Sequence, residues 1–189
     1  MEVRRAAAGD ARAIAEVHVR SWKAAFPGLL PQDYLDALQP EDRLPGWQHT
    51  LKGAARWPVV LVGEEDGRMV GFVEVAPSGD PDAEERTGEV RTIYLDPAAW
   101  GAGCGVALLD AGVSVLADGG FAEAILWVLH SNSRARRFYE RQGWWPDGAT
   151  KEHDWHVFVA TDVRYRRQLP GAAVMARDGA GQESEKSQS

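Results

Sequence analysis

Residues 93–109 read IYLDPAAWGAGCGVALL, and this stretch decides how the chain is assembled. It begins at the end of a run from Gly88 to Leu95 whose β-branched and aromatic residues make it a strand. Ala98 to Gly105 is a glycine-rich turn. Val106 to Ala117 then carries Val106, Leu109, Val113 and Leu116 at helical spacing, on the side expected to be buried. A strand that runs through glycines into a helix start brings successive backbone N–H groups together, and such a turn suits a pyrophosphate. Glycine is needed because a Cβ would block both the unusual backbone angles and the approach of the phosphates. The dinucleotide pattern G-x-G-x-x-G does not fit. Val106 stands where its third glycine belongs, and no acidic residue follows at the expected spacing with a βαβ context.

Working outward, residues 126–144 read LWVLHSNSRARRFYERQGW. Ala124 to Leu129 is a short apolar strand of the fully buried kind. Asn132 to Gln142 is a helix closed by Gly143 at the C′ position. Positions 132, 135, 136 and 139 share one side of it. Taken alone, Asn132 reads as an N-cap and Tyr139 as a core aromatic.

The flanks complete the pattern. Val3 to Ala6 is a first strand, and Asp10 is the expected N-cap of a helix to about Phe26, with Ile14, Val17, His18 and Trp22 near one face. Pro31 opens a second helix, and a third from Glu41 to Leu51 is expected to break at Pro45-Gly46. Pro58 to Gly63 and Met69 to Val75 form a hairpin across Asp66-Gly67. Strands near Ala149 to His153 and from Val157 to Leu169 follow.

A single domain is expected over 1–170, from a chain of 189 residues with 44% hydrophobic and 26% charged residues. The net charge of −7 argues against a nucleic-acid partner. Cys104 is the single cysteine, so no disulfide and no cysteine-based metal site can form, and a reducing compartment is expected. No segment approaches the ~20 apolar residues of a membrane span, and the N-terminus does not read as a signal peptide. The expectation is a cytoplasmic protein without a membrane partner. Eight tryptophans are several times what the length would suggest; most should be packing, with a minority free to line a site.

The two motifs together resemble the GNAT superfamily of N-acetyltransferases. The matches are Ile93-Tyr94-Leu95-Asp96-Pro97, then Gly103-Cys104-Gly105, then Asn132, Ala135, Phe138-Tyr139-Glu140 and Gly143-Trp144. The resemblance implies an α/β fold with a mixed, mostly antiparallel central sheet of six to seven strands flanked by helices. It also implies acetyl-CoA as acyl donor and a small-molecule amine or amino acid as acceptor, with direct attack on the thioester. Ile93, Tyr94, Leu95, Trp100, Gly101, Ala102, Gly103, Cys104, Gly105, Val106, Asn132 and Phe138 would bind coenzyme A. One departure is Trp100, at a position usually held by Arg or Gln, so phosphate binding would lean more on backbone N–H groups.

By the same resemblance Tyr139 would protonate the leaving thiolate and Glu89 would be the base, with a backbone N–H around Ile93 to Leu95 polarising the carbonyl. Arg91, two residues from Glu89 on the same strand face, would form a salt bridge that lowers the Glu89 pKa. His130 is the alternative base. Trp22, Phe26 and Trp155 are the aromatics expected near the acceptor. Cys104 lacks a paired His and reads as filler. Glu152 to His156 reads as a solvated polar edge rather than metal ligands, so no metal is expected. A non-catalytic acyl-CoA-binding module and an acetyltransferase for protein N-termini or lysines are the competing readings. The oligomeric state, a homodimer included, is left open.

Residues 171–189, GAAVMARDGAGQESEKSQS, have no periodic apolar face and read as a disordered tail. Truncation after Pro170 should therefore leave the melting temperature, coenzyme binding and turnover unchanged. Aggregation or lost binding in the truncated protein would show that the tail docks on the domain.

Overall fold

Val59-Val60-Leu61-Val62 is apolar at every position because both sides of its strand are covered. Val59 and Leu61 pack into a core with Val73, Val75, Leu108, Leu109, Val113 and Leu116. Val60 and Val62, pointing the other way, pack with Ile14, Val17, Trp47 and Phe72. The computed structural model describes residues 1–53, 55–154 and 159–170.

The elements are β1 (Glu2–Arg5), α1 (Ala11–Ala25), α2 (Gln32–Ala37), α3 (Pro40–Lys52), β2 (Val59–Glu65), β3 (Arg68–Pro77), β4 (Thr87–Leu95), α4 (Cys104–Asp118), β5 (Glu123–Leu129), α5 (Ser133–Arg141), β6 (Trp145–Asp154) and β7 (Val159–Gln168). They form the mixed sheet the motifs imply, with seven strands in the order β1-β2-β3-β4-β5-β7-β6. Every neighbouring pair is antiparallel except β4 and β5. That pair is parallel and joined through α4, as a parallel crossover requires. The core that α4 builds also takes in Tyr139 and Phe138 of α5, while α1 and α3 bury the other face. The β2–β3 hairpin turns at Asp66 (φ 51) and Gly67 (φ 73), two left-handed residues that match the twist of the strands.

Four local expectations are corrected. A 3₁₀ turn over Ala8–Asp10 precedes α1, so Asp10 is already helical and does not cap it; its carboxylate accepts from Ala7 N–H and from Arg4 instead. α3 runs unbroken through Pro45-Gly46. Pro45 and Glu41, four residues back, are both exposed, so the carbonyl that loses its partner faces water. α4 starts at Cys104, two residues early, and its buried side holds Leu108 and Gly112 where Val106 was expected. β6 begins at Trp145, four residues early, with a register shift between Pro146 and Thr150. The expected tail lies outside the described residues.

One buried charge ties the sheet to the β3–β4 loop. Arg164, only 6% exposed, donates to Asp80 and Asp82 of that loop and to Asp147 of β6, at 3.0, 2.7 and 2.7 Å. A guanidinium so fully partnered is tolerable in the interior. The Trp127 indole N–H also donates to Asp80, at 3.0 Å.

Space is tight where Gly71 of β3 pairs with Leu95 at the end of β4. A Cβ on Gly71 would sit 2.8 Å from Leu108 Cδ1 and 3.0 Å from the Tyr94 carbonyl oxygen. Gly71→Ala should cost about 1–3 kcal/mol through this overpacking. Gly79→Ala, whose Cβ meets nothing within 4 Å, should be close to neutral. Chemical denaturation of the two variants checks the contrast, and equal stabilities would contradict it.

Candidate active site

β4 and β5 pair only at Thr87↔Glu123, Gly88↔Ala124 and Glu89↔Ile125, and then separate. The cause lies in β4. Glu74 pairs with Thr92 and Val75 with Val90, which leaves Arg91 as an extra residue, a β-bulge that bends the strand just past the last β5 contact. Beyond it, Asp96 N–H donates to Val70 O at 2.8 Å. By the alternation of an antiparallel ladder, the backbone polar groups of Leu95 and Ile93 face the other way, into the gap. A cleft of about 840 Å³ occupies the opening.

At one end lies the glycine turn. Gly101 (φ 82) and Gly103 (φ 83) are left-handed, and a Cβ on either would meet nothing within 4 Å. It is thus backbone conformation, not crowding within the protein, that demands glycine here. The first bond of α4 runs from Ala107 N–H to Gly103 O, at 3.2 Å. The N–H groups of Cys104, Gly105 and Val106 therefore have no helical acceptor. Arg134, at the start of α5, lies 3.6 Å over the Trp100 ring, and both line the cleft together with Arg141. A cation therefore does stand over position 100, contributed by α5 and stacked on the Trp100 ring.

The cleft also gathers Tyr139 and Glu89. Tyr139 is 9% exposed, and burial raises its hydroxyl pKa far above the ordinary value. No side chain or backbone group among the described residues hydrogen-bonds that hydroxyl, and it is not among the occluded polar atoms. Burial also raises the pKa of Glu89, with Arg91 only partly offsetting it. The expected Glu89–Arg91 pair is absent. The bulge at Arg91 breaks the alternation that would have put both on one face, and Arg91 lies 3.9 Å from Glu74.

The wall away from the glycine turn comes from α1, α3, β4 and β5. Trp22 and Phe26 line it, their rings 5.1 Å apart, while Trp155 lies outside the described residues. His18 stacks on Tyr94 at 4.8 Å, and burial lowers its pKa to about 3, so it is neutral. Burial pushes the Tyr94 hydroxyl up to about 12. Of the residues the motifs nominate for coenzyme A, all but Ala102 and Cys104 line the cleft. Ala102 is exposed and Cys104 is buried. Asn132 does cap α5, its Oδ1 accepting from Ala135 N–H at 3.0 Å. Arg136 turns away to donate to the Tyr165 hydroxyl. His130 is exposed and off the cleft. Sequence reasoning missed His18 as a lining residue, and Arg43, Thr92, Trp127, Arg134, Arg141, Lys151 and Asp162 altogether. The 134/141 spacing, two helical turns, was the one signal at hand. No cluster of three or more possible metal ligands occurs among the described residues, and His156 lies outside them. No described helix is long and apolar enough to cross a membrane.

Comparison with known proteins agrees with this architecture. The model of the Acetyltransferase (GNAT) family matches residues 17–144. The N-acetyltransferase YuaI of Bacillus subtilis (strain 168) is 34% identical over 131 residues, which is 69% of this chain and 72% of YuaI. A mycothiol acetyltransferase of Kocuria rhizophila is 38% identical over 112 residues, covering 57% of this chain and 32% of its own length. The chain thus spans most of YuaI but about a third of that larger relative. The crystal structure of the PaiA N-acetyltransferase of Thermoplasma acidophilum, in complex with coenzyme A, superposes with a TM-score of 0.70 at 20% identity, over 89% of this chain and 98% of PaiA. The chain belongs to the acetyltransferase (GNAT) family, and with it to the acetyltransferases.

Proposed function

We propose that this protein transfers an acetyl group from acetyl-CoA to the primary amine of a small molecule or amino acid, by direct attack within a ternary complex. The observation that carries the reading is Tyr139. It is a buried phenol whose hydroxyl has no hydrogen-bond partner among the described residues and which lines the same cleft as the start of α4.

The cleft fits the donor. Three N–H groups without helical acceptors, two left-handed glycines with open space above them, and the Arg134 and Arg141 guanidiniums match a pyrophosphate. When bound, the donor supplies an acetyl thioester. The Leu95 and Ile93 N–H groups, unpaired by β5, can polarise its carbonyl. Glu89, made more basic by burial, takes the amine's proton directly or through water as the C–N bond forms. Tyr139, kept protonated by burial, gives its proton to the sulfur as the C–S bond breaks. The phenol is a weak acid, but a thiolate arriving in the same low-dielectric pocket is a correspondingly stronger base. The buried single cysteine is in keeping with a cytoplasmic enzyme.

Tyr139→Phe should lower kcat by about 10²–10⁴-fold while coenzyme Kd changes little. A purely structural tyrosine predicts near-normal turnover instead. Because Glu89 acts deprotonated and its pKa is raised, activity should fall as pH drops through a value above the ordinary carboxylate range. Glu89→Gln should remove that limb of the profile. Thiol release across an amine panel reads all three, and wild-type turnover in Tyr139→Phe would take that residue out of the mechanism.

A further inference from the structure

We propose that the acceptor amine carries a carboxylate, and that Arg43 of α3 is the group that holds it. This rests on the acetyl-transfer reading above and narrows its substrate class.

Arg43 lines the cleft on the same side as His18 and Trp22. One of its terminal nitrogens donates to the Tyr34 hydroxyl at 3.1 Å, and its guanidinium lies 5.4 Å from the Trp22 ring centroid. These contacts fix the plane of the fork without neutralising its charge. Its Nε–H is occluded from water and has no hydrogen-bond partner among the described residues. No carboxylate among the described residues pairs with it. The contrast with other inward-facing arginines is sharp. Arg4 takes Asp10 and Glu64, Arg164 takes three aspartates, and Arg166 takes Glu123 and Asp147. In a chain of net charge −7, a cation left unpaired on a cleft wall is placed for an anion from outside.

A second donor points to the same ligand. His18 Nδ1 accepts from the Trp47 indole N–H at 3.3 Å, so the proton of the neutral ring is on Nε2. That Nε2–H is also buried without a partner. Arg43 contributes to keeping His18 neutral, which shows the two side chains to be near neighbours. Two neighbouring donors, one of them cationic, favour an anion with more than one oxygen. Glu89, the base of the acetyl-transfer reading, lines the same cleft. The wall thus offers opposite charges to the two ends of a zwitterion, an amino acid or a close derivative. A polyamine, or a lysine side chain without a nearby acid, would leave Arg43 unpaired.

The test uses the full chain, its Arg43→Gln variant, and Arg43→Lys as a charge-retaining check on folding. The probes are L-amino acids, each matched with its carboxamide and its decarboxylated amine, assayed by thiol release from acetyl-CoA. For the wild type, kcat/KM for at least one acid should exceed that of its carboxamide by about 10–100-fold, the range expected for a bidentate carboxylate contact. Arg43→Gln should bring that ratio near one, chiefly through KM, with the amide's own rate and coenzyme Kd kept; Arg43→Lys should recover part of it. Independently of turnover, N-acetyl amino acids should raise the melting temperature of the coenzyme A-loaded wild type but not of Arg43→Gln. Efficient acetylation of the amides or decarboxylated amines alone, or a ratio that survives Arg43→Gln, overturns this inference while leaving the acetyl-transfer reading intact. No turnover of any amine refutes the transfer reading, and absence of any N-acetyl amino acid shift then overturns the carboxylate site as well.

Discussion

The site depends on a ladder that stops. β4 and β5 share three residue pairs and then part, leaving backbone donors and acceptors of β4 without the neighbour that a continuous sheet would provide. Buried backbone groups must be satisfied, so a sheet can be held open in this way only if water or a ligand fills the gap. The Arg91 bulge bends one lip, and on the far lip β5 is fixed along its full length by β7. The Arg164 cluster anchors the β3–β4 loop to β6 and β7, close to the start of β4. These three features make the opening part of the fold rather than a surface irregularity.

Charge and dryness are then distributed along the opening. The glycine-turn end has left-handed glycines, helix N–H groups without helical acceptors and guanidiniums on an exposed face. The chemical end is drier. Burial raises Glu89, Tyr94 and Tyr139 and lowers His18, in each case favouring the neutral form. Such an environment makes a carboxylate more basic and keeps a phenol protonated, the two states that acyl transfer to an amine asks of its base and acid. Thr92 Oγ1 is also buried in this wall without a partner among the described residues.

What was legible in the sequence was local. The strand, glycine turn and helix of residues 93–109, and the strand and helix of 126–144, are each continuous segments whose residue types dictate their own geometry. The family resemblance implied a mixed sheet of six to seven strands, and seven form. Features that depend on tertiary context were not legible. Alternation puts Glu89 and Arg91 on one face, and only the register against β3 reveals the bulge that undoes it. Pro45 is a helix breaker whose cost is small at an exposed position. Arg134 compensates for Trp100 from another helix, and Arg43 reaches the cleft from an amphipathic helix that looks like ordinary surface. His18 falls on the apolar stripe of α1 and reads as core until Tyr94 is seen stacked against it.

Amide hydrogen exchange with and without saturating acetyl-CoA tests the central claim most directly, because the claim concerns particular backbone N–H groups. Exchange should slow at Ile93 and Leu95 and at Gly105 and Val106, with the β6–β7 ladder unchanged. Protection confined to other parts of the chain, or none at these four amides while the ligand is demonstrably bound, would contradict it.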